Sequence, residues 1–194
     1  MSKREIILET ALNLFNFYNY SSVGVDRIIK ESNVAKMTFY KYFPSKEKLI
    51  IACLTRRKQD MQTAILDNLA SFHEEDYLGK IRAIYTFYTN WFKSESFHGC
   101  IFQKSIFEIL LQYPSVIDQV KDYRIWLYNL SENLFSKLNI TQPDILCSLY
   151  INILDGMTVY SNIAQDYETI EKSWTYIERL IEMEQTNSKM ILAS

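Results

Sequence analysis

Apolar side chains return every three or four positions along most of this chain, a spacing that admits helices and little else. Ile7, Ala11, Leu14 and Phe15, with Leu8 and Leu12 beside them, form one such stripe. Leu49, Cys53, Met61, Ile65 and Leu69 form another. No short alternating segment bounded by turn residues suggests a strand. Breakers are scarce as well: four glycines and three prolines in 194 residues, against usual frequencies of about 7% and 5%. With 48% hydrophobic residues there is material for a real core. The expected fold class is all-α, with about nine helices.

Stop and start signals place those helices. The first should span Lys3 to Tyr18, with Asn19 as a left-handed stop. After the turn Ser21-Ser22-Val23-Gly24, a short second helix covers Val25 to Glu31. Ser32-Asn33 breaks the chain, and a third helix runs from Ala35 to Phe43 until Pro44 ends it, because the residue before proline disfavours the helical region. Ser45 is a natural N-cap for a long fourth helix reaching Ser71. The fifth spans Tyr77 to Lys93, the sixth Cys100 to Gln112, and the seventh Pro114 to Leu138. Thr141-Gln142-Pro143-Asp144 places proline in the first turn of an eighth helix ending near Gln165, and the ninth covers Tyr167 to Glu184. The polar tail Gln185–Ser194 is expected to fray. The first three helices make a helix-turn-helix module, so residues 1–48 are taken as a head and 49–194 as a body.

Charge separates head from body. Residues 1–58 carry eleven Lys/Arg against five Asp/Glu, and residues 59–194 carry ten against eighteen. A basic module on an acidic body suits contact with a polyanion through the head alone. The stretch from Asn33 to Leu49 sharpens this, since it sets lysines, a threonine and tyrosines on one short helix, a composition suited to a DNA major groove. Lys36 can donate to guanine, Met37 can meet a thymine methyl, and Thr38 can meet a base or a phosphate. Tyr40, Lys41, Tyr42, Lys46 and Lys48 are better suited to backbone phosphates, which fix register rather than sequence. Val25 and Arg27, at the start of the second helix, complete the expected DNA-facing set. Phe39 and Phe43, four apart, are core.

These residues resemble the DNA-binding region of the TetR family of transcriptional regulators. The resemblance runs from Ile7 to Arg56 through Ile7-x-x-x-Ala11-x-x-Leu14-Phe15, Tyr20, Val25-x-x-Ile28 and Val34-Ala35-Lys36-x-Thr38-Phe39-Tyr40-x-Tyr42-Phe43-Pro44-Ser45-Lys46-Glu47-x-Leu49. His98-Gly99-Cys100 is similar to a branch in which Gly-Cys opens the sixth helix. The sequence departs from the family pattern at three places. Asn19 and Met37 stand where glycine is frequent, and Val23-Gly24 stands where Thr-Thr is common, removing a hydroxyl that would cap the second helix and meet a phosphate. The resemblance implies a homodimeric repressor whose two heads read a palindromic double-stranded DNA operator from adjacent major grooves, about 34 Å apart or a multiple of that. It also implies release by a small-molecule effector bound among helices five to eight.

The body's aromatic stripes serve either as plain core or as the wall of that effector cavity. Trp91, Phe92, Phe107, Trp126 and Tyr150 are the candidates for the wall, and the scarcity of charge among them suits a mostly apolar ligand. Tyr150, Ile153, Met157 and Tyr160 of the eighth helix, with Trp174, Ile177, Leu180 and Ile181 of the ninth, are candidates for a four-helix dimer interface. Cys100 at a helix start could be a reactive, redox-sensing thiol or a packed, inert one. Enzyme chemistry finds no support: His73 and His98 are the two histidines, both in expected loops, and no phosphate loop, nucleophile motif or paired metal-ligand spacing occurs. No cofactor or metal is expected. Three dispersed cysteines and the lack of a long apolar run point to a reduced cytoplasmic protein rather than a membrane one. A helical ligand carrier that no longer reads DNA is the alternative, and the missing Thr-Thr pair is its argument.

Overall fold

The computed structural model describes residues 1–164 and 166–192. Among them are nine α-helices and no strand: α1 (Lys3–Phe17), α2 (Val25–Glu31), α3 (Lys36–Tyr42), α4 (Lys46–Leu69), α5 (Tyr77–Lys93), α6 (Ile101–Ile109), α7 (Val116–Phe135), α8 (Pro143–Ile163) and α9 (Tyr167–Leu192). No described helix is long and apolar enough to cross a membrane. Packing divides the chain into two units, Met1–Met61 with His98–Tyr123 and Gln62–Phe97 with Arg124–Ser194. The cut expected after residue 48 falls inside α4, and the packing unit that holds the helix-turn-helix is larger, because α6 and the first part of α7 join it.

In the first unit, Ser2 caps α1 by accepting the Glu5 N–H at 3.2 Å. Ile7, Ala11, Phe15, Ile28, Phe39, Leu49 and Ile50 have essentially no exposure and make the core of the three-helix head. Truncating a ring so enclosed as Phe39 to alanine would cost about 3–5 kcal/mol. Asn19 is not the left-handed stop expected. Its side chain instead accepts the Ser22 N–H at 2.9 Å, forming an Asx turn that needs no positive φ. Among the described residues, the non-glycine residues with positive φ are Asn33, at 51°, and Asn139, at 54°. Ser45 caps α4 as expected, its hydroxyl accepting the Lys48 N–H at 3.2 Å.

Gly99 has φ 92°, a conformation that side chains rarely adopt, so glycine suits the turn into α6. Three polar ties join α4 to α7 and the residue just before it within this unit. Ser115 donates to Glu47, Thr55 to Gln119 at 2.9 Å, and Lys58 to Asp122 at 3.1 Å.

The second unit packs α5 against α8 and α9. The Tyr150 hydroxyl donates to the Ile81 carbonyl at 2.9 Å, and the Tyr85 hydroxyl donates to the Ile170 carbonyl. Phe135 meets Tyr150 edge-on at 5.5 Å between ring centroids.

Several ends differ from expectation. The seventh helix begins at Val116 and stops at Phe135, because its last turn tightens, with Lys137 and Leu138 N–H groups reaching back three residues, and Asn139 then reverses the chain. The ninth does not fray after Glu184 but continues to Leu192. No glycine or proline interrupts it, and the Gln185 side chain donates to the Leu138 carbonyl at 2.8 Å. The expected end of α8 at Gln165 lies outside the described residues, as do Ala193 and Ser194 of the tail.

Candidate DNA interface

The turn between α2 and α3 is closed by backbone bonds: Ser32 N–H to Ile28 O at 2.9 Å and Asn33 N–H to Lys30 O at 3.2 Å. Asparagine tolerates the left-handed conformation this reversal needs. α3 then turns Phe39 inward, with Phe43 just beyond its end, and turns Lys36, Met37, Tyr40, Lys41 and Tyr42 outward. Met37 is 86% exposed, too much for a core role. Thr38 is half-buried beside them. Neither Gly24 at the start of α2 nor Ala35 at the start of α3 supplies a side-chain cap.

The charged residues of this face are not equally free. Lys36 meets Asp26 at 3.4 Å, with both side chains well exposed. Arg27 stacks over the Tyr18 ring at 4.0 Å and donates to Glu31 at 2.7 Å. Its hydrogen bonds to Glu31 and Tyr18 raise its pKa further. Lys41 and Lys48 are exposed, and Val25 is half-buried. Lys46 departs from expectation: its ammonium is half-buried and donates to the Tyr20 carbonyl at 2.5 Å. Burial lowers its pKa, partly offset by Glu108. It is held by the protein's own backbone and does not stand ready for a phosphate.

Tyr20 is the anchor of the turn between α1 and α2. Its ring is fully buried against Phe15 at 4.8 Å. Its N–H donates to Glu108 at 2.6 Å, and its hydroxyl donates to the Ile101 carbonyl at 3.1 Å. Lys104, one turn before Glu108 on α6, donates to the Asn16 carbonyl at 2.7 Å. Tyr20 belongs to the family pattern, and this network gives the physical reason for a tyrosine there. Arg4 was missed altogether: its guanidinium lies 5.4 Å from the centre of the Phe43 ring at the end of α3. The Lys3-Arg4 pair at the start of the chain was its only signal.

The body corrects more. Phe107 is 80% exposed on α6, so it does not line a cavity of the chain. Phe92 and Tyr150 are buried in the second unit's core, Phe92 against Tyr88, Trp91 and Phe97. Trp91 is half-buried, and Trp126 is half-buried on α7. Tyr150 and Met157 of α8, and Trp174, Ile177 and Ile181 of α9, are buried within the chain itself. A different stripe on each helix is exposed: Ile145, Leu149, Tyr160 and Ile163 on α8, and Tyr176, Leu180, Met183 and Met190 on α9. Ile153 is half-buried. Only Tyr160 and Leu180 of the expected set lie on these stripes. Period alone does not say which of two apolar stripes faces inward. Cys100 precedes α6, yet burial raises its thiol pKa, opposed by backbone N–H groups of Gln103 and Phe102. That favours the packed thiol over the redox sensor.

A helix-turn-helix whose third helix presents lysines and tyrosines over a buried pair of phenylalanines defines a DNA-binding protein. Residues 7–53 match the family model of bacterial regulatory proteins, tetR family. The uncharacterized HTH-type transcriptional regulator YuxN of Bacillus subtilis is 43% identical over 65 residues, 34% of this chain and 22% of that protein. The HTH-type transcriptional repressor NemR of Escherichia coli is 24% identical over 92% of this chain and 93% of its own. The crystal structure of SCO4454, a TetR-family transcriptional regulator from Streptomyces coelicolor, shares the fold with a TM-score of 0.83 at 23% identity, covering 94% of this chain and 96% of that one. Residues 7–53 thus carry the DNA-binding region of the tetR family of bacterial regulatory proteins. Against YuxN and the next two relatives the match spans only 22% to 35% of their length.

Proposed function

We propose that this protein is a cytoplasmic homodimeric repressor that binds a palindromic operator and is released by a small, mostly apolar effector. The observation that carries the reading is the outer face of α3, where Met37, Tyr40, Lys41 and Tyr42 stand outward over the buried Phe39 and Phe43. Lys36 and Met37 read base edges, and Lys36 must first leave Asp26. Tyr40, Lys41, Tyr42, Lys48 and Arg4 hold phosphates, each phosphate so neutralised steepening the salt dependence by about 0.9 in log–log slope. Lys46 acts indirectly, by fixing the turn at Tyr20.

One such head buries too little for tight specific binding, so two are needed. The exposed apolar stripes of α8 and α9 form the dimer face. Gly156 is exposed on α8, where a side chain's Cβ would meet nothing within 4 Å, and leaves room for a partner helix there. The aromatic cluster around Trp91, with Tyr88, Phe92 and Phe97, supports an apolar effector in the body.

The test is fluorescence anisotropy with the DNA flanking the protein's own gene, at several salt concentrations, with random duplex as competitor. Tight binding that survives the competitor supports the regulator, and binding to neither duplex by folded dimer refutes it. Sedimentation of Ile163→Glu tests the interface: a shift to monomer supports it, and an unchanged dimer refutes it.

A further inference from the structure

A cleft of about 240 Å³ lies between α5 and α9, lined by Arg82, Tyr85, Thr86, Thr89, Glu171 and Trp174. It is away from the stripe assigned to the dimer. At about 100° per residue, Glu171 sits well over 90° around α9 from Tyr176, Leu180 and Met183, so a partner on that stripe leaves the cleft open.

Three features of its lining point to an anion. Trp174 is 5% exposed, and its indole N–H is buried without an acceptor. Buried donors almost always find a partner, and one left over beside a cleft calls for an acceptor from outside. Arg82 is exposed at the mouth, 5.9 Å from the centre of the Trp174 ring, and has no carboxylate partner among the described residues. Glu171, the acid in the lining, is engaged by Lys93 at 2.5 Å, so the cleft carries net positive charge with Lys93 at its edge. The Thr89 hydroxyl donates inward to the Thr86 carbonyl and does not compete. The Tyr85 ring, 5.5 Å from that of Trp174, offers an apolar wall.

We propose that the α5–α9 cleft binds a small organic carboxylate, with Arg82 pairing with the carboxylate and the Trp174 indole N–H donating to one of its oxygens. The guanidinium fork matches a carboxylate, and the volume suits a ligand smaller than the usual drug-sized one. The site is separate from the apolar effector proposed for the body and stands or falls without it.

The probe is sodium benzoate, titrated at constant ionic strength into full-length protein labelled with ¹⁵N-tryptophan. The chain has three tryptophans, and the Trp174 indole signal is assigned with W174F or, if that variant does not fold, by elimination with W91F and W126F. Benzoate should move the Trp174 indole N–H saturably, while neutral benzamide should not. R82Q, at an exposed position, should weaken the effect about tenfold or more. An indole signal that stays still, follows benzamide equally, or responds in R82Q as in the unaltered protein would overturn the proposal.

Discussion

Removing the Glu108 carboxylate should loosen the head from α6 by an amount the geometry allows to be worked out. Glu108 accepts the Tyr20 N–H at 2.6 Å and faces Lys46 and Lys104, whose charged forms burial disfavours and Glu108 supports. A hydrogen bond to a charged group contributes about 1.5–3 kcal/mol. Glu108 is only half-buried, so solvent screening puts Glu108→Ala near the lower end, about 1.5–2 kcal/mol. For a chain of this size that corresponds to a fall of roughly 3–8 °C in Tm. Glu108→Gln keeps an acceptor for Tyr20 but removes the charge, and should lose about half as much. Thermal unfolding by circular dichroism, with all three proteins at one concentration, measures both. The order unaltered, Gln, Ala is the expected outcome. An Ala variant within about 1 °C of the parent would refute the idea that this carboxylate holds the turn.

Lys36→Ala should flatten discrimination between specific and random DNA, whereas Lys48→Ala should weaken both alike and reduce the salt slope by about one; anisotropy at four salt concentrations separates the two. Gly24→Thr, at a helix start with open space around a new Cβ, should supply the missing hydroxyl and tighten DNA binding by roughly two- to tenfold, the worth of one hydrogen bond. The cysteines should resist alkylation in the folded protein at pH 8, since burial raises Cys53 and Cys100 and pushes Cys147 up to about 12; mass spectrometry after iodoacetamide checks this, with urea-unfolded protein as the reactive control. Asp166 caps α9, and its pKa is lowered by hydrogen bonds from Thr169. A lowered folded-state value means that its stabilisation is present above 3.8 and is lost as pH falls through the folded pKa. Asp166→Asn should therefore flatten the acid limb of a Tm-against-pH curve.

What the sequence made legible was local. Ser45 as a cap, Pro44 as a stop and the Phe39–Phe43 pair depend on near neighbours, and each stands where expected. What it hid depended on partners distant in the chain. Lys46 reads as a phosphate ligand until the Tyr20 carbonyl, twenty-six positions earlier, is seen to occupy it. α8 and α9 each carry two apolar stripes, and only packing against α5 decides which one is inside. Phe107 reads as a cavity-wall aromatic by type, yet the buried residues of α6 are Ile101, Phe102, Ser105 and Ile109, on its other side.

The sides of α9 also set how its length can change. One extra residue after Lys172 would turn every later side chain by about 100°. The places of Trp174, Ile177 and Ile181 in the core would pass to Ser173, Tyr176 and Leu180. The exposed apolar stripe would meanwhile receive Thr175, Arg179, Glu182 and Lys189, an almost wholly charged edge. A single insertion would thus undo core, cleft and outer stripe at once, although no residue had been replaced. Seven extra residues would return the sides to within about 20° of their places. α9 can therefore change its length by whole heptads far more readily than by single residues.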